Sequence, residues 1–294
     1  MSTVITGASG HLGRRVVELL FDEHGIHPSE LILVTRTPDR LNDLAGRGAQ
    51  VRPGDFDEPE GLPAAFEGGE RMLLISADQI GQRVRQHLGA VDAARAAGIR
   101  HIAYTSFLNT DVDANPAVIA PEHRATEEAI RAAGLTSTFL RNSIYAEVQT
   151  DDASAALATG QLVTNAGEGR AAYVSRDDCA AVAAAVLADP STHENAIYDV
   201  TGPALLDARA LATLYAEVGG KPVEPLPVDD ATFTRGLVEH AGMPQPLAEA
   251  YATFGATIRA GLLDVRTDVV ERLTGRAPRT LREVLEQHAA AVAA

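Results

Sequence analysis

Cysteine, lysine and tryptophan are nearly absent from this chain, and each absence excludes something. A single cysteine, Cys179, rules out an internal disulfide and any multi-cysteine metal cluster. It falls in a run of small residues, 178–187, where a buried structural thiol is the expectation. Tryptophan is missing and aromatics make up 4% of the residues, too few for a platform that stacks single-stranded nucleic acid. Basic residues are outnumbered 25 to 40, and the net charge of -15 repels phosphate backbones and anionic membrane surfaces. No run approaches the roughly 20 apolar residues that span a bilayer. The chain enters its first strand at Thr3, which leaves no room for a signal or transit peptide. These absences point to a soluble, cytoplasmic protein that binds neither nucleic acid nor membrane, and no metal site is expected.

Glycine, by contrast, stands in a telling place. The stretch Gly7-Ala8-Ser9-Gly10-His11-Leu12-Gly13 follows an apolar segment, Val4-Ile5, and precedes an amphipathic one, 14–20. A strand that turns sharply into a helix needs residues free of Cβ clashes, and a diphosphate approaches backbone only where side chains are missing. The N–H groups of the helix's first turn, at the positive end of its dipole, then form an anion site. The spacing G-x-x-G-x-x-G departs from G-x-G-x-x-G in its first interval, and from the P-loop in lacking a Gly-Lys pair.

Behind this turn the chain alternates. Runs at 30–35, 49–52, 71–76, 101–106 and 137–140 predict further strands, with helices over 39–45, 58–66, 82–97 and 121–133 between them. The 30–35 run is apolar throughout, as in a parallel strand covered on both faces. Such alternation implies an α/β fold, a Rossmann-type doubly wound parallel sheet with helices on both faces. In the 82–97 helix, Val84, Leu88, Val91 and Ala94 fall on one face, leaving Arg85, Asp92 and Arg95 to solvent.

Ligands of such sheets bind at the strand C-termini. Arg36 closes the second strand, where an acid would bind a ribose 2′-hydroxyl and an arginine a 2′-phosphate, so NADP(H) is favoured over NAD(H). Asp55 is placed to accept from an adenine amino group with Phe56 packing nearby, and Asp57 to cap the next helix. Ser76 and Ala77 end the fourth strand, Ser106 and Phe107 the fifth, and Asn142 the sixth.

After Tyr145 the rhythm changes. A strand is expected at 172–174, then a helix capped by Asp177 and Asp178, a return strand at 196–200, and helices over 208–218, 230–240, 246–261 and 281–293. The expected division is a dinucleotide-binding domain over 1–145, joined by 173–202, and a smaller substrate-binding lid over 146–172 and 203–294.

With Gly7 to Gly13, Arg36-Thr37-Pro38, Ile75-Ser76-Ala77, Tyr104-Thr105-Ser106 and Leu140-Arg141-Asn142 in place, the chain resembles the NmrA-like branch of the atypical short-chain dehydrogenases. Within it, the chain is most similar to the type 2 NAD(P)H:quinone oxidoreductases. The resemblance implies a Rossmann domain that binds NADP(H), a smaller, mostly helical C-terminal substrate domain, and no flavin. It places cofactor contacts on Gly7, on Ser9, Gly10, His11 and Leu12, on Arg36, on Ile75, Ser76 and Ala77, and on Arg141, Asn142 and Ser143. Gly13, Asp55, Phe56 and Ser106 complete the candidates for that role.

Typical short-chain dehydrogenases protonate a carbonyl oxygen with Tyr-x-x-x-Lys. Here Lys221 is the only lysine, in a Gly-Pro loop, and no tyrosine lies in 121–133, so that motif is missing. A ketone would yield a basic alkoxide that needs an acid at hand. A quinone yields a hydroquinone anion stabilised by aromaticity, which water can protonate. The expected activity is therefore hydride transfer from NADPH to a quinone, promoted by the orientation of two flat rings. Asn142 and Tyr145 are candidates to hydrogen-bond a quinone oxygen, and Phe107 to wall the site. His123 is a candidate proton donor, set against a plain surface position beside Glu122, and Tyr104 is expected to point into a helix-covered sheet face. Two other functions suit the same minimal site: a non-catalytic NADP(H) redox sensor that binds a protein partner, and a reductase or isomerase of a biosynthetic intermediate. The expected partner is a small, quinone-like molecule, with a homodimer left open.

Overall fold

A computed structural model describes residues 2–288 and Val292. Its first strand, β1 (Thr3–Thr6), is buried along its whole length. There follow α1 (His11–Asp22), β2 (Leu31–Thr35), α2 (Asn42–Gly46), β3 (Gln50–Pro53), α3 (Leu62–Phe66), β4 (Arg71–Leu74), α4 (Arg83–Ala96), β5 (His101–Phe107), α5 (Ala120–Ala132) and β6 (Thr136–Asn142). The second half holds α6 (Gln149–Thr159), β7 (Gln161–Thr164), α7 (Arg176–Ala188), β8 (Ala196–Val200), α8 (Ala208–Gly219), β9 (Glu224–Pro227), α9 (Asp230–Ala241), α10 (Gln245–Arg259), α11 (Val269–Thr274) and α12 (Leu281–Gln287).

Seven strands form one parallel sheet in the order β3-β2-β1-β4-β5-β6-β8. The order reverses at β1, which has β2 on one side and β4 on the other. The crevice beyond these strand ends is the switch point at which such sheets bind ligands. This is the expected Rossmann-type fold. The register sets Phe107 of β5 beside Asn142 of β6, so these two candidates leave the sheet side by side.

Helices cover both faces because the strands are apolar on both. On one face α1 and α7 pack together, with Val16, Val17, Val182 and Val186 over Ile5, Leu33 and Leu140. Helix α7 is rich in alanine and so lies close to its neighbours; Cys179 is enclosed in it, as expected. On the other face α3, α4 and α5 cover Val4, Ile32, Met72 and Phe139. A separate core gathers Leu157, Leu211, Tyr215, Ile258 and Leu285 from α6, α8, α10 and α12 against Phe107 and Leu108. No helix among the described residues is long and apolar enough to cross a membrane.

Several local expectations are corrected. Strands β7 and β9 form a small parallel sheet that the sequence reading lacked. The prolines of β9 are tolerated because this strand has one partner only. Conversely, 172–174 forms no strand; Val174 makes one bridge to Tyr145, and Ala171 one to Leu206. Helix α7 is capped by Ser175, whose hydroxyl accepts from the Asp178 N–H at 3.0 Å, and not by the acids themselves. In α4, Leu88 is exposed and the buried face carries Gln86 and His87 with Ala90 and Val91. These polar groups are buried because each bonds inside the fold, which apolar periodicity does not register. The last helix is described to Gln287, and most of the remainder of its expected span, to 293, lies outside the described residues.

Candidate functional site

The glycine turn is built as its spacing demands. Gly7 takes φ of +61°, a region that a Cβ disfavours, and its carbonyl accepts from the Gly10 N–H at 2.9 Å. The first helical bond of α1 runs from the Arg14 N–H to the Gly10 carbonyl. The amides of His11, Leu12 and Gly13 therefore precede the ladder, and no acid or capping side chain competes for them. A methyl on Gly13 would run into the Gly7 carbonyl and lie 2.9 Å from Ala8 Cα. Ser9 is tied to the end of β2, its hydroxyl 2.6 Å from that of Thr35.

At the ends of β2 and β3 lies a cleft of about 510 Å³ lined by Arg36, Arg52, Gly54, Asp55, Glu58 and Ala64. Arg52 is spent on the C-terminus of α3, donating to the carbonyls of Ala65 and Glu67 at 3.2 and 2.7 Å. Arg36 is exposed and makes no hydrogen bond or salt bridge among the described residues. Asp55 accepts from the Asp57 N–H at 3.0 Å. Asp57 caps nothing; its carboxylate takes bonds from Arg85 and from Gln86, the latter at 3.0 Å. Phe56 is half-buried and sets its ring edge-on to His87 at 6.3 Å.

The segment after β4 is held from below. The N–H groups of Ile75, Ser76 and Ala77 donate to Thr6 Oγ1 at 3.0 Å, Thr105 Oγ1 at 2.8 Å and His87 Nε2 at 2.9 Å. The loop beyond it is pinned by Glu122, which accepts from the Gly81 N–H at 2.7 Å, and by Arg83, which donates to the Ala77 carbonyl at 2.6 Å.

Two cofactor candidates turn inward. Ser106 donates to Glu127 at 2.7 Å, and Arg141 meets the same carboxylate with Nε at 3.0 Å and Nη2 at 2.8 Å. Burial opposes the Arg141 charge, but hydrogen bonding to Glu127 and its negative charge outweigh this and raise its pKa. Both were expected at the cofactor; in the structure their side chains are engaged by Glu127 at the strand ends. The next two residues differ. Asn142 donates through Nδ2 to the Tyr145 hydroxyl at 3.3 Å, while Asn142 Oδ1 and Ser143 Oγ are enclosed without a hydrogen-bond partner among the described residues. Tyr145 lies under the Arg176 guanidinium, 5.2 Å from its ring centre, and burial pushes its hydroxyl pKa up.

An aromatic wall stands beside Asn142. Phe107 stacks on His123 at 6.4 Å and meets Phe254 edge-on at 6.0 Å, with Tyr251 beyond at 6.1 Å. His123 is buried, not on the surface, because this face of α5 carries Glu122, His123, Thr126 and Glu127 toward the sheet. Tyr104 is wholly enclosed between His87 and His123, in the helix-covered face expected of it. Phe254 and Tyr251 were missed by the sequence reading; their signal was two aromatics three apart on a helix in a chain poor in aromatics.

The family model for NAD(P)H-binding proteins matches residues 7–190, from the glycine turn through α7. The chain belongs to this NAD(P)H-binding family. Among its members, quinone oxidoreductase 2 of Escherichia coli K12 is 35% identical over 279 residues, covering 95% of this chain and 96% of the relative. The solved structure of the E. coli NADPH-dependent quinone oxidoreductase complexed with NADPH superimposes with a TM-score of 0.91 at 34% identity, covering 97% of this chain and 99% of the other. A triphenylmethane reductase from Citrobacter sp., solved with NADP(H), gives a TM-score of 0.87 at 34% identity and covers 98% and 99%. The family resemblance drawn from the motifs holds.

The residues present fit the family's dinucleotide. The Gly7–Gly13 cradle leaves room for backbone approach, and a methyl would fill it. Arg36 offers an uncommitted guanidinium at the cleft by the β2 and β3 ends. At the far end, the orphaned Asn142 Oδ1 and Ser143 Oγ are enclosed polar atoms of the kind that a bound group satisfies.

Proposed function

We propose that this protein is an NADPH-dependent, flavin-free quinone reductase. The observation that carries the reading is the pairing, at the ends of β5 and β6, of an aromatic wall with polar groups that lack a strong acid. Phe107 and Phe254 offer flat apolar contact, Asn142 and Ser143 leave unspent acceptors, and the nearby tyrosines are held neutral by burial. Lys221 is exposed in the turn after α8 and takes no part.

When bound, NADPH supplies the hydride. Arg36 would hold its 2′-phosphate, the open amides of α1 would receive its diphosphate, and Asn142 and Ser143 would hold the nicotinamide end. The wall of Phe107, Phe254 and Tyr251 orients a flat conjugated acceptor and keeps water out. The quinone and the triphenylmethane dye named for the relatives are both conjugated electrophiles of this sort. The segments 146–172 and 203–294 form the substrate-binding part, and a cytosolic setting suits an NADPH enzyme with one buried thiol.

Stopped-flow absorbance in the reduced nicotinamide band, with purified protein free of flavin absorption and a small benzoquinone, tests this. Rapid decay of the band supports the reading. Tight NADPH binding with no decay across several quinones would sink it in favour of a sensor.

A further inference from the structure

We propose that His123 donates a hydrogen bond through Nε2 to the acceptor's carbonyl oxygen, and that Ala77, His87 and Tyr104 together fix the tautomer that makes it a donor. This rests on the quinone reading for the identity of the acceptor.

The chain starts at a group with no choice. A backbone N–H can only donate, so the Ala77 bond makes His87 Nε2 an acceptor and puts the proton of the neutral ring on Nδ1. His87 Nδ1 faces Thr126 Oγ1 at 2.9 Å and the Tyr104 hydroxyl at 3.4 Å. Thr126 gives its own hydrogen to the Glu122 carbonyl at 2.9 Å, so it accepts from His87. Tyr104 cannot donate to a nitrogen that already carries hydrogen. Its hydrogen goes instead to His123 Nδ1, 2.7 Å away. His123 Nδ1 is therefore an acceptor, and the ring proton sits on Nε2.

Nε2 has no hydrogen-bond partner among the described residues and is not one of the fully enclosed orphan atoms, in a ring that is 4% exposed. That ring stacks at 27° on Phe107, the wall of the proposed site. The charged groups around the cluster are Arg83 and Glu122, paired at 3.7 Å, with Glu127 one turn along α5. Burial, reinforced by Arg83 and His87, keeps His123 neutral across the physiological range.

A neutral imidazole N–H in a dry site polarises an oxygen as charge develops on it, at no reorganisation cost. The chain ends on a peptide amide that gives up no proton, so nothing inside can replace a proton lost from His123. Its task is to steady the oxyanion; quinone plus hydride gives the hydroquinone monoanion, and water supplies the proton that completes the hydroquinone. Ala77 lies in the segment flanking the cofactor turn, so the donor is set by the same loop that frames the dinucleotide. Tyr104 and His87 act as positioning residues.

The test combines ¹⁵N-histidine NMR of the intact protein with kinetics of His123→Phe, His123→Gln and Tyr104→Phe. The expected spectrum shows His123 protonated on Nε2 alone and unchanged from pH 6 to 8, with that single tautomer lost in Tyr104→Phe. His123→Phe is expected to lower kcat by about 100-fold, with KM little changed and partial recovery in His123→Gln, whose amide is again a donor. A proton on Nδ1, a His123 titration near pH 6.5, or unaltered kcat in His123→Phe overturns the proposal. If the wild type turns over no quinone, the quinone reading fails and the NMR result alone decides the tautomer lock.

Discussion

Glu127 grips Arg141 through two parallel hydrogen bonds, at 3.0 and 2.8 Å, with both side chains enclosed. Arg141 directly precedes Asn142, so the pair braces the strand end that carries the proposed nicotinamide contact. Glu127→Ala leaves a buried guanidinium with Asp111 alone, at 3.3 Å and itself exposed. A loss of about 3–5 kcal/mol in unfolding free energy is expected, read by urea titration. The double variant Glu127→Leu with Arg141→Met removes both charges and should recover much of that loss. A double variant no more stable than Glu127→Ala would show that the pair is more than compensated burial.

Gly13 is a position where one methyl decides binding. Its added Cβ would meet the Gly7 carbonyl and Ala8 Cα, and both are backbone of the turn itself. Gly13→Ala should cost about 1–3 kcal/mol in stability, as overpacking does, and should weaken NADPH binding by more than it lowers quinone turnover at saturating cofactor. Isothermal titration alongside thermal unfolding separates the two effects. Unchanged cofactor affinity would remove the turn from the binding site.

Arg36 is the test of cofactor choice. It stands uncommitted at a cleft whose other arginine, Arg52, is engaged by carbonyls. A hydrogen bond to a charged group is worth about 1.5–3 kcal/mol, so Arg36→Ala should weaken NADPH by roughly 10- to 100-fold and leave NADH nearly untouched. Equal losses for both cofactors would place Arg36 away from the 2′-phosphate.

The parts of this molecule that were legible in the sequence are those encoded by neighbours along the chain. The glycine turn needs backbone freedom at fixed intervals, and Arg36 needs only to end its strand, so both could be read locally. Ser106 and Arg141 were read as ligand contacts because they stand at strand ends, yet a single carboxylate on α5, Glu127, claims both. Buried His87 and Gln86 were hidden for the same reason: an apolar stripe is periodic, whereas a polar group that is buried because a distant amide or carboxylate satisfies it leaves no periodic trace. The aromatic wall joins Phe107 to Phe254 on α10, far apart in sequence, and only the packing of that helix over the β5 end brings them together.

Buried histidines make the fold sensitive to mild acid. Burial depresses His87 to about 3 and His101 to about 4 from an ordinary 6.5. His101 is held as the Nε2–H tautomer, since Thr138 spends its hydrogen on the His193 carbonyl and accepts from the ring. A depressed pKa means that the unfolded state takes up the proton first. The stability due to each ring is fully present above pH 6.5 and is lost as pH falls toward 4 for His101 and 3 for His87. Near pH 5 each contributes a slope of about 1.4 kcal/mol per pH unit. Asp57, held low by Gln86 and Arg85, acts in the same direction but only below the usual carboxylate range, and Asp178, raised by burial, opposes them. Urea unfolding at pH 7, 6 and 5 should therefore show stability falling, with His101→Gln flattening the slope by about one proton's worth. A variant slope identical to the wild type would mean that His101 is already protonated in the folded protein.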